Sequence, residues 1–366
     1  MRLRDWRPDP MTVAGRVIAG HGLRATSLRP PTLVLSVAAV AGVMVLGTLI
    51  GPVQLDAWAV VRALVDRLPF VAIETGLSER DAAILWELRV PRVVLGGLVG
   101  AMLSIAGAAY QGAFRNPLAD PYLLGVAAGA GLGATLAIAY LPDTQGWLID
   151  PVPLAAFVGA LTAVAFTYVL GRSGIGSRTA ATLILAGVAI TSFLTALQTY
   201  VQQRESDTLQ RVYAWILGRL STSGWEEVKL ILPYVALSSI AILLHRRLLD
   251  VLSVGDEEAD ALGLRAGRVR LLVAVAASLG TAAAVAVSGL IGFVGIIVPH
   301  TVRLIFGSSY RLVLPLSLVL GGGFLILADL LARTAMAPAE IPIGVVTAFF
   351  GAPFFVLVLR TSRRVS

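Results

Sequence analysis

Nine uncharged stretches of 15 to 32 residues alternate along this chain with short charged segments. They cover residues 30–55, 93–114, 121–142, 151–171, 179–203, 230–244, 271–302, 312–328 and 341–359. A run of roughly 20 apolar residues crosses a bilayer as a helix, because a helix satisfies its own backbone hydrogen bonds where lipid offers none. The longest stretch, 271–302, would make about 48 Å of helix, well beyond a hydrocarbon core of roughly 30 Å. Ser288, Gly289, Gly292, Gly295 and Pro299 punctuate it, so two short spans meeting near Gly289 are expected. The pattern predicts an all-α polytopic membrane protein with ten transmembrane helices.

Ten spans place both termini on one side. With the N-terminus inside, 19 of the 29 basic residues fall in inside segments and 10 in outside ones. That positive-inside bias predicts cytoplasmic termini. The basic stretch 1–30 reads as a cytoplasmic extension, and 31–366 as one ten-helix domain with a charged cytoplasmic loop at about 249–270. Gly96 with Gly100, and Gly129 with Gly133, have the spacing that lets helix backbones approach, either within a bundle or at a dimer seam.

Composition narrows the function. Apolar residues make up 57% of the chain and charged ones 14%, with a mean hydropathy of +0.83. A soluble chain would carry nearer a quarter charged residues. The net charge of +7 is scattered among loops, which points to membrane topology and not to nucleic acid. There is no cysteine and there are three dispersed histidines, so no thiolate or histidine metal site and no cofactor is expected. Lys229, the sole lysine, follows Val228, whereas the phosphate loop GxxxxGK[ST] places its lysine after glycine. The chain is therefore expected not to be an ATP-hydrolysing enzyme itself.

The densest charge cluster runs from Asp250 to Arg270. In it, Gly255 precedes an acidic turn (Asp256, Glu257, Glu258) suited to the positive end of a helix. Ala259 and Leu262 would form a small apolar side, Gly263 would end the helix, and a second short helix would follow around Leu264. Arg89 and Arg92 flank Pro91 and could simply snorkel to headgroups. Asn116-Pro117-Leu118 reads as a helix-stop turn. Asp329 abuts an apolar span with Arg333 four residues on, the spacing of a local ion pair. Glu340 would help to cap the last span, and His300 would pack within the bundle.

Several strings resemble the permease subunit of type II ABC importers, the family that takes up cobalamin, haem and iron–siderophore complexes. They are Leu88-Arg89-Val90-Pro91-Arg92, Gln111-Gly112-Ala113-Phe114-Arg115-Asn116-Pro117-Leu118-Ala119-Asp120-Pro121, Gly289-Leu290-Ile291-Gly292-Phe293-Val294-Gly295, Ala328-Asp329-Leu330-Leu331-Ala332-Arg333 and Glu340-Ile341-Pro342-Ile343-Gly344. The resemblance implies a homodimer in a bacterial or archaeal cell membrane, with the pathway at its interface and a bulky metal chelate as cargo. It implies two separate ATPase subunits below and one substrate-binding protein above. Arg89, Arg92 and Arg333 would then face acidic side chains of the binding protein. Gly255, Asp256, Glu257, Glu258, Ala259, Leu262, Gly263 and Leu264 would form coupling helices seated in the ATPase. Asn116 and Leu118, with Thr179 and Ala180, would narrow the cytoplasmic mouth. An ion-coupled secondary transporter is the alternative, and it would require titratable groups inside the spans.

Overall fold

The computed structural model describes residues 28–67, 69–70, 72–141, 150–173, 180–220 and 224–362, which are helical throughout with no strand among them. In chain order the helices are α1 (Pro30–Leu49), α2 (Ala57–Asp66), α3 (Glu79–Ala113), α4 (Val126–Tyr140), α5 (Pro151–Ser173) and α6 (Ala180–Arg204). There follow α7 (Leu209–Ile216), α8 (Glu226–Leu244), α9 (Arg246–Leu252) and α10 (Asp256–Ala261). The chain closes with α11 (Ala266–Ser288), α12 (Val294–Phe306), α13 (Tyr310–Thr334) and α14 (Ile343–Ser362). Among the described residues, α1, α3, α5, α6, α8, α11 and α13 are long and apolar enough to cross a membrane, and α4, α12 and the described part of α14 are shorter apolar helices.

The long uncharged run breaks where its glycines predicted. Ser288 ends α11, Gly289 turns with φ +68°, and Phe293 takes a left-handed conformation before α12 begins. Other boundaries moved. The second span begins at Glu79, fourteen residues before its uncharged run, because Arg89 and Arg92 lie inside the helix; Ile84–Arg89 form a π-helical turn within it. Such turns widen the helix locally and often mark working positions.

Helix α3 is the axis of the core. Its residues from Leu95 to Ala113 pack against α13, α11 and α12, and Leu95, Val99, Met102 and Ile105 are fully buried. The α3–α13 seam is backbone on backbone: a Cβ at Gly100 would lie 2.3 Å from the Gly321 carbonyl oxygen. Likewise a Cβ at Gly107 would meet the Gly295 oxygen of α12 at 2.2 Å. The second glycine pair serves α4, where Gly129 and Gly133 rest on the Gly159 and Ala155 carbonyls of α5. Gly100 and the α4 pair therefore close seams inside the chain.

Not every helix is covered. Helix α6 has scarcely any buried residue, and the outward faces of α1 and α5 are also bare.

Replacing Gly100 with valine should force the α3–α13 seam apart, a cost of at least about 1–3 kcal/mol for overpacking. Gly42, with nothing within 4 Å of a Cβ position, should accept alanine with no loss. Thermal unfolding of the two purified variants in detergent checks the contrast.

Candidate functional site

Charged side chains collect at the two ends of the α3–α13 pair. At the end holding the start of α3 and the end of α13, Arg92 is the hub. Its Nη2 and Nε donate to the Asp329 carboxylate at 2.8 to 3.2 Å, and Nη1 and Nη2 donate to Glu340 at 2.8 and 3.0 Å. Asp329 is buried, and it also lies 3.4 Å from Arg333 Nε on its own helix. The local ion pair expected from the spacing is present, and Arg92 adds a stronger partner from across the seam. Glu340 engages Arg92, where a cap on the last helix was expected. That hydrogen bond holds the Glu340 carboxyl below its ordinary range.

Exposed arginine forks at this end were the sequence expectation, and the geometry differs. Arg89 and Arg333 are only 5% and 2% exposed. Arg89 donates from Nη1 to the Thr48 and Leu49 carbonyls at 3.0 Å each, and from Nη2 to Val53. Arg333 Nη2 donates to the Gly47 carbonyl. The Gly47, Thr48 and Leu49 carbonyls are orphans at the C-terminus of α1, the negative end of its dipole, so two guanidinium groups cap one helix, and Val53 adds a carbonyl from the loop that follows. Burying an arginine is tolerable only when its donors are spent in this way. Of the three, Arg92 alone keeps appreciable exposure, 16% of its side chain.

At the opposite end lies the 249–270 segment. Helix α10 begins after Gly255 with its acidic turn and stops at Gly263 (φ +77°), as its sequence predicted. Ala259 and Leu262 do not share a face: Ala259 is fully buried, whereas Leu262 is 74% exposed. Leu264 packs on the core. The expected second short helix is absent, because Ala266 starts α11, which runs unbroken to Ser288. Asp256, with 38% of its side chain exposed, is ion-paired. It accepts from Arg270 Nη2 at 3.0 Å and lies 3.5 Å from Arg115 Nη2.

Arg270 was not singled out from sequence; it is buried, and its Nε donates to the Ala113 carbonyl at the end of α3 at 2.8 Å. Asp250 of α9 was likewise noticed only as the edge of the cluster. It accepts from Ser309 Oγ at 2.9 Å and from the Tyr310 amide at 2.6 Å, and so caps the first turn of α13. The available signal was that the densest charges abut two apolar runs; their partners could not be read from it.

The loop after α3 turns sharply. Arg115 is left-handed (φ +50°), Asn116 N–H reaches back to Gln111 O at 3.1 Å, and Asn116 Oδ1 accepts the Leu118 amide at 2.9 Å. That is a Schellman stop with arginine where glycine is usual. Leu118 is 39% exposed, Ala180 opens α6, and Thr179 lies outside the described residues. Asp120 accepts the Tyr122 amide at 2.8 Å, yet burial pushes its carboxyl up to about 6. His300 packs its ring edge-on to Phe354 at 5.8 Å. Among the described residues no cluster of acids and histidines could hold a metal ion.

An apolar helical bundle with an ion-paired patch at one end and a projecting helix at the other has the form of a membrane transport subunit. The chain belongs to the FecCD transport family, which it matches over residues 36–361. It is 44% identical over 284 residues to the uncharacterized ABC transporter permease protein YvrB of Bacillus subtilis, covering 77% of this chain and 80% of that protein. It is 42% identical over 289 residues to the cobalamin import system permease protein BtuC of Halobacterium salinarum (79% and 76%). To the hemin transport system permease protein HmuU of Yersinia pestis it is 40% identical over 286 residues (75% and 83%). A solved inward-facing structure of a putative metal-chelate type ABC transporter superimposes with a TM-score of 0.78 at 28% identity, over 91% of this chain and all of the other. The protein is thus a multi-pass membrane permease subunit, and ATP hydrolysis belongs to a separate subunit.

Arg92→Ala should leave the buried Asp329 carboxylate with only its longer contact to Arg333, costing about 2–3 kcal/mol, below the loss for a wholly unpaired buried charge. Glu340→Gln, at a half-exposed partner, should cost about 1 kcal/mol or less. Thermal unfolding of both variants, and of Arg92→Ala with Asp329→Ala, checks this; the double variant should be more stable than Arg92→Ala alone.

The raised Asp120 carboxyl means the fold favours its neutral form over the ordinary 3.8. Its contribution to stability is full below 3.8 and is lost as pH rises through about 6. Unfolding midpoints measured from pH 4 to 7.5 should show that decline, and Asp120→Asn should flatten it.

Proposed function

We propose that this chain is the membrane pathway of an ABC importer for a bulky metal chelate: an iron–siderophore complex, haem or cobalamin. It works as a homodimer of ten-span subunits with cytoplasmic termini. Two ATPase subunits engage the 255–264 segment, and a substrate-binding protein docks on the opposite face, over the patch of Arg89, Arg92 and Arg333. Family membership and the positive-inside distribution support this orientation. Asn116 and Leu118, with Thr179 and Ala180, would narrow the cytoplasmic mouth.

The observation that carries the reading is Leu262. A leucine 74% exposed at the end of a short helix, which is tied to the bundle by a part-buried ion pair to Arg270, offers an apolar contact surface. The uncovered α6 supports the dimer: Ser192, Thr195, Thr199 and Gln203 fall on one exposed face of the helix, a surface better suited to a wet pathway than to lipid. For the ion-coupled alternative, Asp329 was the candidate titratable group, and it is committed to Arg92 and Arg333. Cargo stays a class. The cobalamin and hemin relatives are 42% and 40% identical, and a Fe(3+)-citrate permease of Bacillus subtilis is 36% identical, too close together for identity to choose among them.

Leu262→Asp should place an unpaired charge at the ATPase contact and abolish co-purification of the ATPase, a loss of several kcal/mol. The bundle itself should keep its unfolding midpoint, since Leu262 is 74% exposed. The chain alone should hydrolyse no ATP above background. Normal ATPase capture by Leu262→Asp, or hydrolysis by the chain alone, would overturn the reading.

A further inference from the structure

The coupling segment is tied to the bundle by two carboxylates, Asp250 just before it and Asp256 at its start, and each holds the end of a different core helix. Asp256 binds Arg270, which in turn holds the last turn of α3 through the Ala113 carbonyl. It also draws in Arg115, whose left-handed backbone ends α3. Asp250 caps the first turn of α13 through Ser309 Oγ and the Tyr310 amide, and lies 3.4 Å from Arg311. Helices α3 and α13 are the pair whose backbones touch at Gly100 and Gly321, and whose far ends Arg92 and Asp329 join.

From this we infer that Asp250 and Asp256 are positioning residues for transport. They fasten the coupling segment to the α3–α13 pair, so that a displacement imposed by the ATPase passes into that pair as a rigid rod. Several features make the linkage mechanical. The pair cannot slide at its seam without a backbone clash. Ion pairs tie the two helices together at the far end. At the near end, the turn leading into Asn116-Pro117-Leu118 is held in an unfavourable left-handed conformation at Arg115 beside Asp256. Freed of that anchor, the turn has cheaper conformations to relax into. Hydrolysis could then continue with the mouth loop no longer following the coupling helix.

This inference rests on the 255–264 segment being the ATPase contact, and the experiment separates the two. The chain lacks cysteine, so spin labels at Leu118→Cys and Asp260→Cys, both exposed, report the distance between mouth loop and coupling helix without background labelling. In the assembled complex with its ATPase in lipid nanodiscs, that distance should be single and narrow, and the same with and without ATP. Arg270→Gln, which cuts the Asp256 anchor from a buried position outside the 255–264 contact, should retain ATPase co-purification and ATP hydrolysis while the distance distribution broadens about twofold, as for an element released from one anchor. Arg270→Lys should keep the distribution narrower than Arg270→Gln, and Asp250→Asn with Arg270→Gln should broaden it further. Arg115→Ala, which leaves the Arg270 contact intact, should broaden it less than Arg270→Gln. A distribution as narrow in the double variant as in the parent, with ATPase still bound, would overturn the rod. Loss of the ATPase from Leu262→Asp but unchanged distances in Arg270→Gln would keep the contact and discard the anchor.

Discussion

Two glycines, Gly100 and Gly321, bring the backbones of α3 and α13 into direct contact, and the rest of the molecule is arranged about that contact. Lipid tails are as apolar as leucine side chains, so helices in a bilayer gain little by hiding apolar surface and associate through close packing. Small residues at the seam supply it: Gly97 faces Gly322, and Ser104 faces Gly321. Helices α11 and α12 then wrap the same axis, α12 pressing the Gly295 backbone onto Gly107.

The bilayer fixes where charge can collect around this axis. From Arg92 to Ala113, α3 is about 30 Å long at 1.5 Å per residue, the thickness of the hydrocarbon. One ion-pair network sits at its start and another at its end, with apolar side chains and hydroxyls between. Each network sets opposite charges against one another: Arg92 lies between Asp329 and Glu340 at one end, and Asp256 lies between Arg270 and Arg115 at the other. Leftover donors go to helix termini, as when Arg89 and Arg333 cap α1 and Arg270 caps α3. A charge that must enter low dielectric is thus made to satisfy a backbone group that would otherwise be orphaned.

These commitments also separate parts that hold from parts that work. Among the described residues, the bare surface includes Leu262 at one end and the outward sides of α1, α5 and α6, where the Ser192 and Thr199 hydroxyls are spent on carbonyls of their own helix. A permease must meet an ATPase, a cargo and lipid, and exposed surface is what such meetings need. The patch of Arg89, Arg92 and Arg333 differs, because its charges are already paired. A binding protein would have to compete with Asp329 and Glu340 for Arg92, which would favour release after each docking event.

Much of the architecture was legible in the sequence, because burial in lipid demands long uncharged runs that leave little room for ambiguity. The helices, the break at Gly289, the acidic start of α10, its stop at Gly263 and the Asp329–Arg333 pair follow from spacing and from the backbone preferences of glycine and proline. Family strings carried the function class. The sequence could not tell which charge meets which across the bundle, since Arg92 and Asp329, or Arg270 and Ala113, are brought together only by packing of distant helices. That is why Arg89 and Arg333, which read as exposed forks, proved to be buried caps, and why Asp256, which read as part of an acidic first turn, proved to be paired with Arg270. Local chemistry decided the helices and their ends; tertiary packing decided the partners of every buried charge, because in low dielectric a charge goes where its donors and acceptors are satisfied.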